Sequence, residues 1–292
     1  MSVILTLLGC SMPGASIDKS AAEKLREPQR VNVRVDVRAD VHIKGEHANQ
    51  EMSILRSGDV SGPLLILVHG TPGDATSWAD YLLSPPPGME VIAVDRLGFG
   101  QSSPDAVTSL AAQAEAIATL LPKDGRQVVL LGHSLGGPIV AQLAAMHPDR
   151  ISAVVLLAAS LDPALELIHP MQWVGAWPPV RFFLPRAISN ANAELIALKA
   201  ELEKLANLLP AIRAKIIIVH GTKDDLVPMA NVAYMQARLT GAACVETVLL
   251  EGRNHFLPWN SIDIVRSAIS EAATHSADAA NSNATKEKCW IP

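Results

Sequence analysis

The 292-residue chain lacks several features that would place it in a class at once. It contains no run of 18 or more apolar residues, so no membrane-spanning helix is expected. No segment repeats, and its cysteines and histidines form no cluster with metal-ligand spacing. The net charge of −5 provides no basic footprint for nucleic acid or anionic lipid. These absences give no reason to expect a membrane-spanning protein, a repeat protein, a metal site of that kind or a nucleic-acid-binding protein.

Aromatic residues and cysteines are also scarce, with five Trp, four Phe, two Tyr and three Cys in the whole chain. Three cysteines are too few for a disulfide-rich scaffold. Apolar residues nevertheless make up 49% of the sequence. A single large α/β core is therefore compatible with this length and composition.

The most informative segment that is present places one serine between glycines. An apolar run from Val128 to Leu131 leads directly into Gly132-His133-Ser134-Leu135-Gly136, and an amphipathic stretch follows. This order predicts a strand, a sharp turn and a helix, with the Ser134 hydroxyl pushed clear of the backbone. Ser134 is therefore the candidate nucleophile.

Polar motifs also follow four other apolar runs. The runs that start at Leu64, Val91, Ile216 and Val248 lead into His69-Gly70-Thr71-Pro72-Gly73, Asp95-Arg96-Leu97-Gly98-Phe99-Gly100, His220-Gly221-Thr222-Lys223-Asp224-Asp225 and Glu251-Gly252-Arg253-Asn254-His255. Open parallel sheets bind their ligands at the carboxyl ends of the strands. We therefore expect these motifs to meet at one edge of a sheet.

Strand and helix patterns alternate along most of the chain. This alternation predicts an α/β fold, with a mostly parallel eight-stranded sheet, helices on both faces and the first strands antiparallel at the edge. The predicted strands are Val31–Val37, Glu51–Leu55, Leu64–Val68, Val91–Val94, Val128–Leu131, Ala153–Leu157, Lys215–Val219 and Cys244–Leu250. The predicted helices are Thr76–Leu83, Leu110–Leu121, Leu135–Met146, Met229–Leu239 and Ile262–Ala273.

The segment between the sixth and seventh strands is too long for a plain connection. It closes with a helical pattern from about Ala191 to Leu209, in which leucines recur at steps of three and four. We expect a small helical cap over the strand ends, with Glu194, Glu201 and Glu203 facing solvent. The predicted organisation is a core of residues 31–160 and 210–274, a cap of residues 161–209, an N-terminal segment of residues 1–30 and a flexible tail of residues 275–292.

The order Ser134, Asp224, His255, together with the five motifs, resembles the α/β-hydrolase superfamily from about Val31 to Thr274. Within it, the His69–Gly73 motif is similar to that of short-capped serine esterases. The resemblance implies that Ser134 is acylated, that His255 is the base and that an acid orients His255. Asp224 fits the family pattern best, whereas Asp225 and Asp162 also fit a helix cap. It also implies that no metal or organic cofactor is needed.

The resemblance assigns the oxyanion hole to the backbone N–H groups of Thr71 and Leu135. His69 and His133 are expected to hold loops by hydrogen bonding, and Asp95 and Arg96 to brace neighbouring loops. The scarce aromatic residues concentrate in the cap and beside the motifs, where some belong to the core and others favour an apolar pocket. The predicted pocket residues are Trp173, Trp177, Phe182 and Phe256.

Hydrolysis of a carboxylic ester or thioester with an apolar group is the function that this resemblance implies. Acyl transfer to another alcohol and a perhydrolase activity would use the same residues. A serine at the turn argues against the dehalogenase and epoxide-hydrolase branches, which use an aspartate there. A non-catalytic binding module of the cell envelope is the alternative from another class, and the oligomeric state is open.

The N-terminus resembles a bacterial lipoprotein signal, because an apolar stretch leads into Leu7-Leu8-Gly9-Cys10. In that interpretation Cys10 is lipidated and anchors the protein in the cell envelope. No Lys or Arg precedes the apolar stretch, so an ordinary N-terminal segment of a cytoplasmic protein is the alternative. An envelope location would permit a Cys244–Cys289 disulfide, whereas otherwise Cys244 is a small buried residue and Cys289 a free thiol.

Overall fold

The computed structural model describes residues 30–35 and 50–281. Their eight strands form one sheet in the order β1-β2-β4-β3-β5-β6-β7-β8. The first two strands pair antiparallel, β2 is antiparallel to β4, and all other neighbours are parallel. The strands are β1 Arg30–Val35, β2 Gln50–Gly58, β3 Leu64–Val68, β4 Glu90–Val94, β5 Val128–His133, β6 Ala153–Leu157, β7 Lys215–Gly221 and β8 Cys244–Leu250. The prediction of a mostly parallel eight-stranded sheet with an antiparallel edge is confirmed.

The central strands are buried on both faces, which explains their uninterrupted apolar sequences. Successive residues of β3 enter different clusters, because side chains alternate across a strand. Leu64, Ile66 and Val68 pack into the cluster on one face. Leu65 and Leu67 pack into the cluster on the other. The sheet therefore lies between two apolar layers.

Helices supply those layers, and all five predicted core helices are present with shifted ends. The helices of the described residues are α1 Ala79–Leu83, α2 Leu110–Ala118, α3 Gly136–Met146, α4 Pro170–Ala176, α5 Pro178–Phe183, α6 Arg186–Ala206, α7 Ala230–Arg238, α8 Leu257–Asn260 and α9 Ile262–Asn281. A 3₁₀ turn, Ala75–Trp78, precedes α1. On one face α2 and α3 contribute Leu110 and Ile139, and on the other α1 and α9 contribute Tyr81 and Val265.

The long connection between β6 and β7 forms three helices, α4 to α6. The leucine pattern of α6 behaves as predicted, since Leu198, Leu202 and Leu205 are buried in the layer that also contains α2 and α3. The helix begins at Arg186, directly after Pro185, and so extends further toward the N-terminus than the predicted start at Ala191. This arrangement ties the cap segment to the core through its last helix.

Some sequence predictions fall at or beyond the ends of the described residues. The predicted signal segment, its Cys10 and the C-terminal Cys289 lie outside them. Cys244 begins β8 and is disulfide-bonded, but the Cys244–Cys289 pairing itself stays a prediction. The helix α9 continues to Asn281, so the first part of the predicted flexible tail is helical. None of the helices in the described part of the chain is both long and apolar enough to cross a membrane.

Candidate active site

The turn between β5 and α3 presents Ser134. The residue has a φ of 55°, a left-handed conformation that is costly for a side chain with a β-carbon. Two backbone bonds hold the turn: Ser134 N–H donates to the Leu157 carbonyl at 3.0 Å, and Gly137 N–H donates to the Ser134 carbonyl at 2.9 Å. A strained turn between strand and helix lifts the serine hydroxyl clear of the backbone.

The glycines on either side of Ser134 are required by close backbone packing. A β-carbon at Gly132 would overlap the Gly136 backbone. A β-carbon at Gly136 would overlap the carbonyl of Val68 at the end of β3. Their absence lets β5, α3 and the end of β3 approach one another, which is the physical reason for glycines at these two positions.

The turn after β3 lies directly against the serine. A β-carbon added at Gly70 would lie 2.8 Å from Ser134 Cβ. Among the described residues, the backbone N–H groups of Thr71 and Leu135 donate to no protein acceptor, and Pro72 has no N–H. Both Thr71 and Leu135 line the cavity that contains Ser134. Free amides beside a nucleophile are what an oxyanion hole requires.

The loops after β7 and β8 bring Asp224 and His255 together. The His255 Nδ1 donates to Asp224 Oδ2 at 2.7 Å. The other carboxylate oxygen, Oδ1, accepts from the N–H groups of Leu226 at 3.0 Å and Val227 at 2.8 Å. Burial raises the pKa of Asp224, but the hydrogen bond and charge of His255 and the Val227 amide outweigh it and hold the pKa below its ordinary value. Asp224 is therefore an anion that orients His255.

The hydrogen bond on Nδ1 determines what the other ring nitrogen of His255 can do. With Nδ1 carrying the proton, Nε2 has a free lone pair that can accept a proton from Ser134, with which His255 shares a cavity. The described contacts include no hydrogen bond between Ser134 and His255. Such bonds are often loose until substrate binds.

The two other candidate acids have different partners. Asp225 is exposed. Asp162 accepts a hydrogen bond from Ala164 N–H at 2.9 Å and so caps the 3₁₀ turn that begins at Pro163. Of the three acids, only Asp224 contacts His255 in the described part of the chain. Within the same residues, no group of three or more His, Cys, Asp or Glu side chains is arranged to hold a metal ion.

Two further histidines support the surrounding loops. His133 Nε2 donates to the His255 carbonyl at 3.0 Å, and burial, then the neighbouring His255, lower the pKa of His133 to about 3. His69 Nδ1 donates to the Gly70 carbonyl at 2.7 Å, and its Nε2 accepts from Arg96 N–H at 3.1 Å. Burial and the Arg96 charge hold the pKa of His69 well below its ordinary value. Both side chains are therefore neutral at physiological pH and hold loops.

The buried His133 predicts acid sensitivity. In the unfolded chain His133 takes up a proton near its ordinary value of 6.5, whereas in the folded chain it does so only near 3. Its contribution to stability is therefore full above that ordinary value and is lost as the pH falls toward the folded one. His133→Asn should flatten the fall in unfolding free energy by up to ~1.4 kcal/mol per pH unit. Urea denaturation at neutral and mildly acidic pH measures this slope, and an unchanged slope would contradict the prediction.

A cavity of about 630 Å³ opens beside Ser134. Phe256 lines this cavity. The other three predicted pocket residues do not: Trp173, Trp177 and Phe182 lie on the outside of the cap and are 56%, 62% and 83% exposed. Their assignment to the pocket is wrong, because α4 and α5 turn these side chains away from the strand ends.

Residues that the sequence did not assign to the pocket take their place. Trp78 and Trp259 line the cavity, and Trp259 Nε1 donates to the Ser77 carbonyl at 3.0 Å. Glu166 also lines it and accepts a hydrogen bond from the Ser160 hydroxyl. Burial raises the pKa of Glu166. No motif marks Glu166 in the sequence, whereas the aromatic pair could have been found from its position beside the motifs.

The prediction that Glu194 faces solvent is wrong. Glu194 is buried and forms an ion pair with Arg96. Its Oε2 accepts from the Thr71 hydroxyl at 2.6 Å. Arg96 in turn donates to the carbonyls of Gly70 at 2.9 Å and His69 at 3.0 Å. The cap helix α6 is thereby connected to the turn that carries one of the candidate oxyanion donors.

The remaining predicted solvent-facing acids of the cap behave differently from each other. Glu203 is exposed, as expected. Glu201 is partly buried, and its Oε2 accepts from the N–H of Leu110 at the start of α2 at 3.0 Å. Asp95 braces a neighbouring loop as predicted, because it accepts from the N–H group of Ala75 at 2.7 Å. It also holds its own loop by accepting from the N–H group of Gln101 at 2.9 Å.

Comparison with known proteins agrees with this architecture. A family model described as the alpha/beta hydrolase fold matches residues 63–184. Pimeloyl-[acyl-carrier protein] methyl ester esterase of Aeromonas hydrophila is 28% identical over 245 residues, which are 70% of this chain and 92% of that protein. Bifunctional epoxide hydrolase 2 of Rattus norvegicus is 33% identical over 129 residues, 42% of this chain and 23% of that protein. The chain thus spans less than half the length of several curated relatives.

Solved structures show the same fold at low sequence identity. A thermophilic esterase from Thermogutta terrifontis superimposes with a TM-score of 0.62 and 20% identity, covering 84% of this chain and 99% of that one. At this identity the likeness concerns the fold. Together with the family match over residues 63–184 and the sheet order, it shows that the chain has the α/β-hydrolase fold.

Proposed function

We propose that the protein is a serine hydrolase that cleaves a carboxylic ester or thioester through an acyl-enzyme on Ser134. The observation that carries the proposal is the 2.7 Å bond from His255 Nδ1 to Asp224, which leaves Nε2 as a base in the cavity of Ser134. Serine at the turn, an oriented histidine and two free amides are the parts that acyl transfer needs.

The steps follow from these positions. His255 Nε2 accepts the Ser134 proton as Oγ attacks the ester carbonyl, and the Thr71 and Leu135 amides bind the resulting oxyanion. The protonated His255 then donates its proton to the leaving alkoxide or thiolate, which departs as the alcohol or thiol. Water, deprotonated by His255, attacks the acyl-enzyme, and collapse of the second intermediate releases the acid and restores the Ser134 hydroxyl. The Asp224 carboxylate stabilises the imidazolium in both halves.

The relatives support ester chemistry more closely than any other. The Aeromonas relative, which is matched over most of its length, is named a methyl ester esterase. The relatives from Rattus norvegicus and Sus scrofa that carry an epoxide hydrolase name are matched over only 23% and 22% of their length. The cavity volume of about 630 Å³ is within the usual range of small-molecule sites. Its aromatic wall of Trp78, Phe256 and Trp259 favours an apolar acyl or alcohol group.

The proposal is tested by combining a substrate series with a covalent probe. The purified chain should hydrolyse p-nitrophenyl esters, with a preference along the acyl chain that reflects the apolar cavity. A fluorophosphonate probe should inactivate it, and peptide mass spectrometry should locate the probe on Ser134. Absence of hydrolysis and of labelling in folded protein would favour a binding module, and a label on another residue would refute the assigned nucleophile.

The connection between the cap and the oxyanion turn gives a second test. Glu194→Gln removes one charge of the buried pair and leaves Arg96 unpaired, which should lower the free energy of unfolding by about 3–5 kcal/mol. Because the Arg96 guanidinium that supports the Thr71 turn then loses its charge partner, kcat for ester hydrolysis should fall more than KM rises. Urea denaturation and steady-state kinetics measure the two effects. Glu203→Gln, an exposed acid on the same helix, is the matched control; equal behaviour of the two variants would exclude a positioning role for Glu194.

A further inference from the structure

The outer face of the cap exposes an unusual number of large apolar side chains. Seven of them fall between residues 167 and 183, with exposed fractions from 44% to 86%: Leu167, Met171, Trp173, Val174, Trp177, Phe182 and Phe183. We call this set the cap apolar surface. Single exposed apolar residues need no explanation, whereas a concentration of this kind marks an interaction site.

Apart from Leu167, which precedes α4, the residues of the cap apolar surface lie on α4 and α5 or, as Trp177 does, between them. Trp173 lies on α4 and Trp177 at its end, four residues apart and therefore on the same side of the helix. The opposite side is attached to α6, where Asn192 Nδ2 donates to the Gln172 carbonyl at 2.8 Å. His169 and Gln172 form a capping box at the start of α4. The apolar side chains therefore face outward because polar bonds hold the inner side.

The charge of this region differs from that of the chain. Although the net charge is −5, residues 167–193 contain no Asp or Glu. Within that stretch Arg181 and Arg186 are both exposed. The net charge of the whole chain gave no reason to expect binding to anionic lipid. Residues 167–193 nevertheless carry a local excess of positive charge. One exposed carboxylate from the loop after β4, Asp105, lines a common depression with Arg181, Phe182 and Arg186, so the two arginines exceed it by one charge. Aromatic side chains beside this local positive charge are complementary to an anionic lipid surface, where the rings enter the headgroup region.

The cap apolar surface also meets the entrance of the cavity. Leu167 is 86% exposed and still lines the cavity that contains Ser134. Gln172, on the inner side of α4, lines the same cavity. An apolar molecule leaving a lipid layer at this surface would therefore meet the exposed Leu167 side chain at the entrance of the cavity. This continuity favours a lipid surface over a second copy of the chain as the occupant.

We propose that the cap apolar surface docks on an anionic lipid surface, with the aromatic side chains inserted among the headgroups and Arg181 and Arg186 facing the lipid charges. This proposal concerns binding and stands whether or not the chain hydrolyses esters. It predicts that association depends on both the aromatic residues and the negative charge of the lipid.

Vesicle sedimentation tests the proposal on the full chain carrying Cys10→Ser, so that acylation at that position cannot contribute. We expect binding to phosphatidylglycerol vesicles and weaker binding to phosphatidylcholine vesicles. The combined variant Trp177→Ser, Phe182→Ser and Phe183→Ser should bind at least about tenfold less tightly. Val60→Ser, which removes a 60% exposed apolar side chain between β2 and β3, is the matched control and should bind normally.

The contribution of positive charge to vesicle binding is tested with Arg181→Gln. Lys123→Gln, which removes an exposed cation outside the cap, is the control. Arg181→Gln should weaken binding to phosphatidylglycerol by about fivefold and leave binding to phosphatidylcholine unchanged. Unaltered vesicle binding by the aromatic variant would overturn the proposal. So would a dimer in lipid-free solution, detected by light scattering and lost in that variant, since the surface would then join two copies. Thermal unfolding of every variant verifies the fold.

Discussion

Ser134→Ala should abolish ester hydrolysis, lowering kcat by on the order of 10⁶-fold. The reason is that the acyl-enzyme cannot form without the hydroxyl, and His255 and Asp224 then have no nucleophile to activate. Residual turnover should come only from the oxyanion donors acting on water. Steady-state assays with a p-nitrophenyl ester measure the loss of kcat. Labelling by the fluorophosphonate probe should disappear as well.

The alanine should be tolerated by the fold, because it keeps a β-carbon in the strained turn without introducing a larger side chain. Thermal unfolding should therefore remain close to that of the parent. Ser77→Ala is a suitable control, since Ser77 lies in the same cavity but far from the turn after β5 in sequence. That variant should retain the covalent label. Substantial hydrolysis or labelling by folded Ser134→Ala would remove Ser134 from the mechanism.

Asp224→Asn should lower kcat by on the order of 10⁴-fold with little change in overall structure. The N–H groups of Leu226 and Val227 both donate to Oδ1, so the amide oxygen of an asparagine is held on that side. Its NH₂ group then faces His255 Nδ1, which has to accept a hydrogen bond. The proton of the neutral ring moves to Nε2, and that nitrogen can no longer take the proton of Ser134.

The other two acids supply the controls for this prediction. Asp225→Asn alters an exposed carboxylate, and Asp162→Asn alters the cap of a short turn that an asparagine can also provide. Both should retain kcat within a few-fold of the parent, with stability followed by circular dichroism. If Asp162→Asn lowered kcat severely and Asp224→Asn lowered it only mildly, the acid that orients His255 would be Asp162, in the loop after β6.

Local sequence was sufficient to locate the strands and the residues at their ends. Leu64–Val68, Ala153–Leu157 and Cys244–Leu250 have the predicted bounds because apolar runs flanked by turn residues have one stable solution in a parallel sheet. The sheet then brings Asp224 to His255, although they lie 31 positions apart. The ends of helices were predicted less accurately. Helix α6, for example, begins at Arg186, whereas the leucine pattern that predicts the helix starts only further along the chain.

Side-chain orientation within the cap could not be derived in the same way. Trp173 and Glu194 have opposite polarity, and the sequence placed the first inside and the second outside. The structure reverses both positions. Glu194 is buried because Arg96, from the loop after β4, is available to pair with it. Arg96 lies 98 residues away from Glu194 in the sequence, and no local sequence pattern indicates that the two side chains pair.

The amino-acid sequence by itself determined the class of fold, the order of the strands along the chain and the chemistry carried at their carboxyl ends, because these depend on short-range alternation and on glycine at tight turns. Only the tertiary structure decided which acid meets His255, which aromatic residues line the cavity and which cover the outside of the cap. The physical reason is that burial and ion pairing depend on what the rest of the chain places next to a side chain.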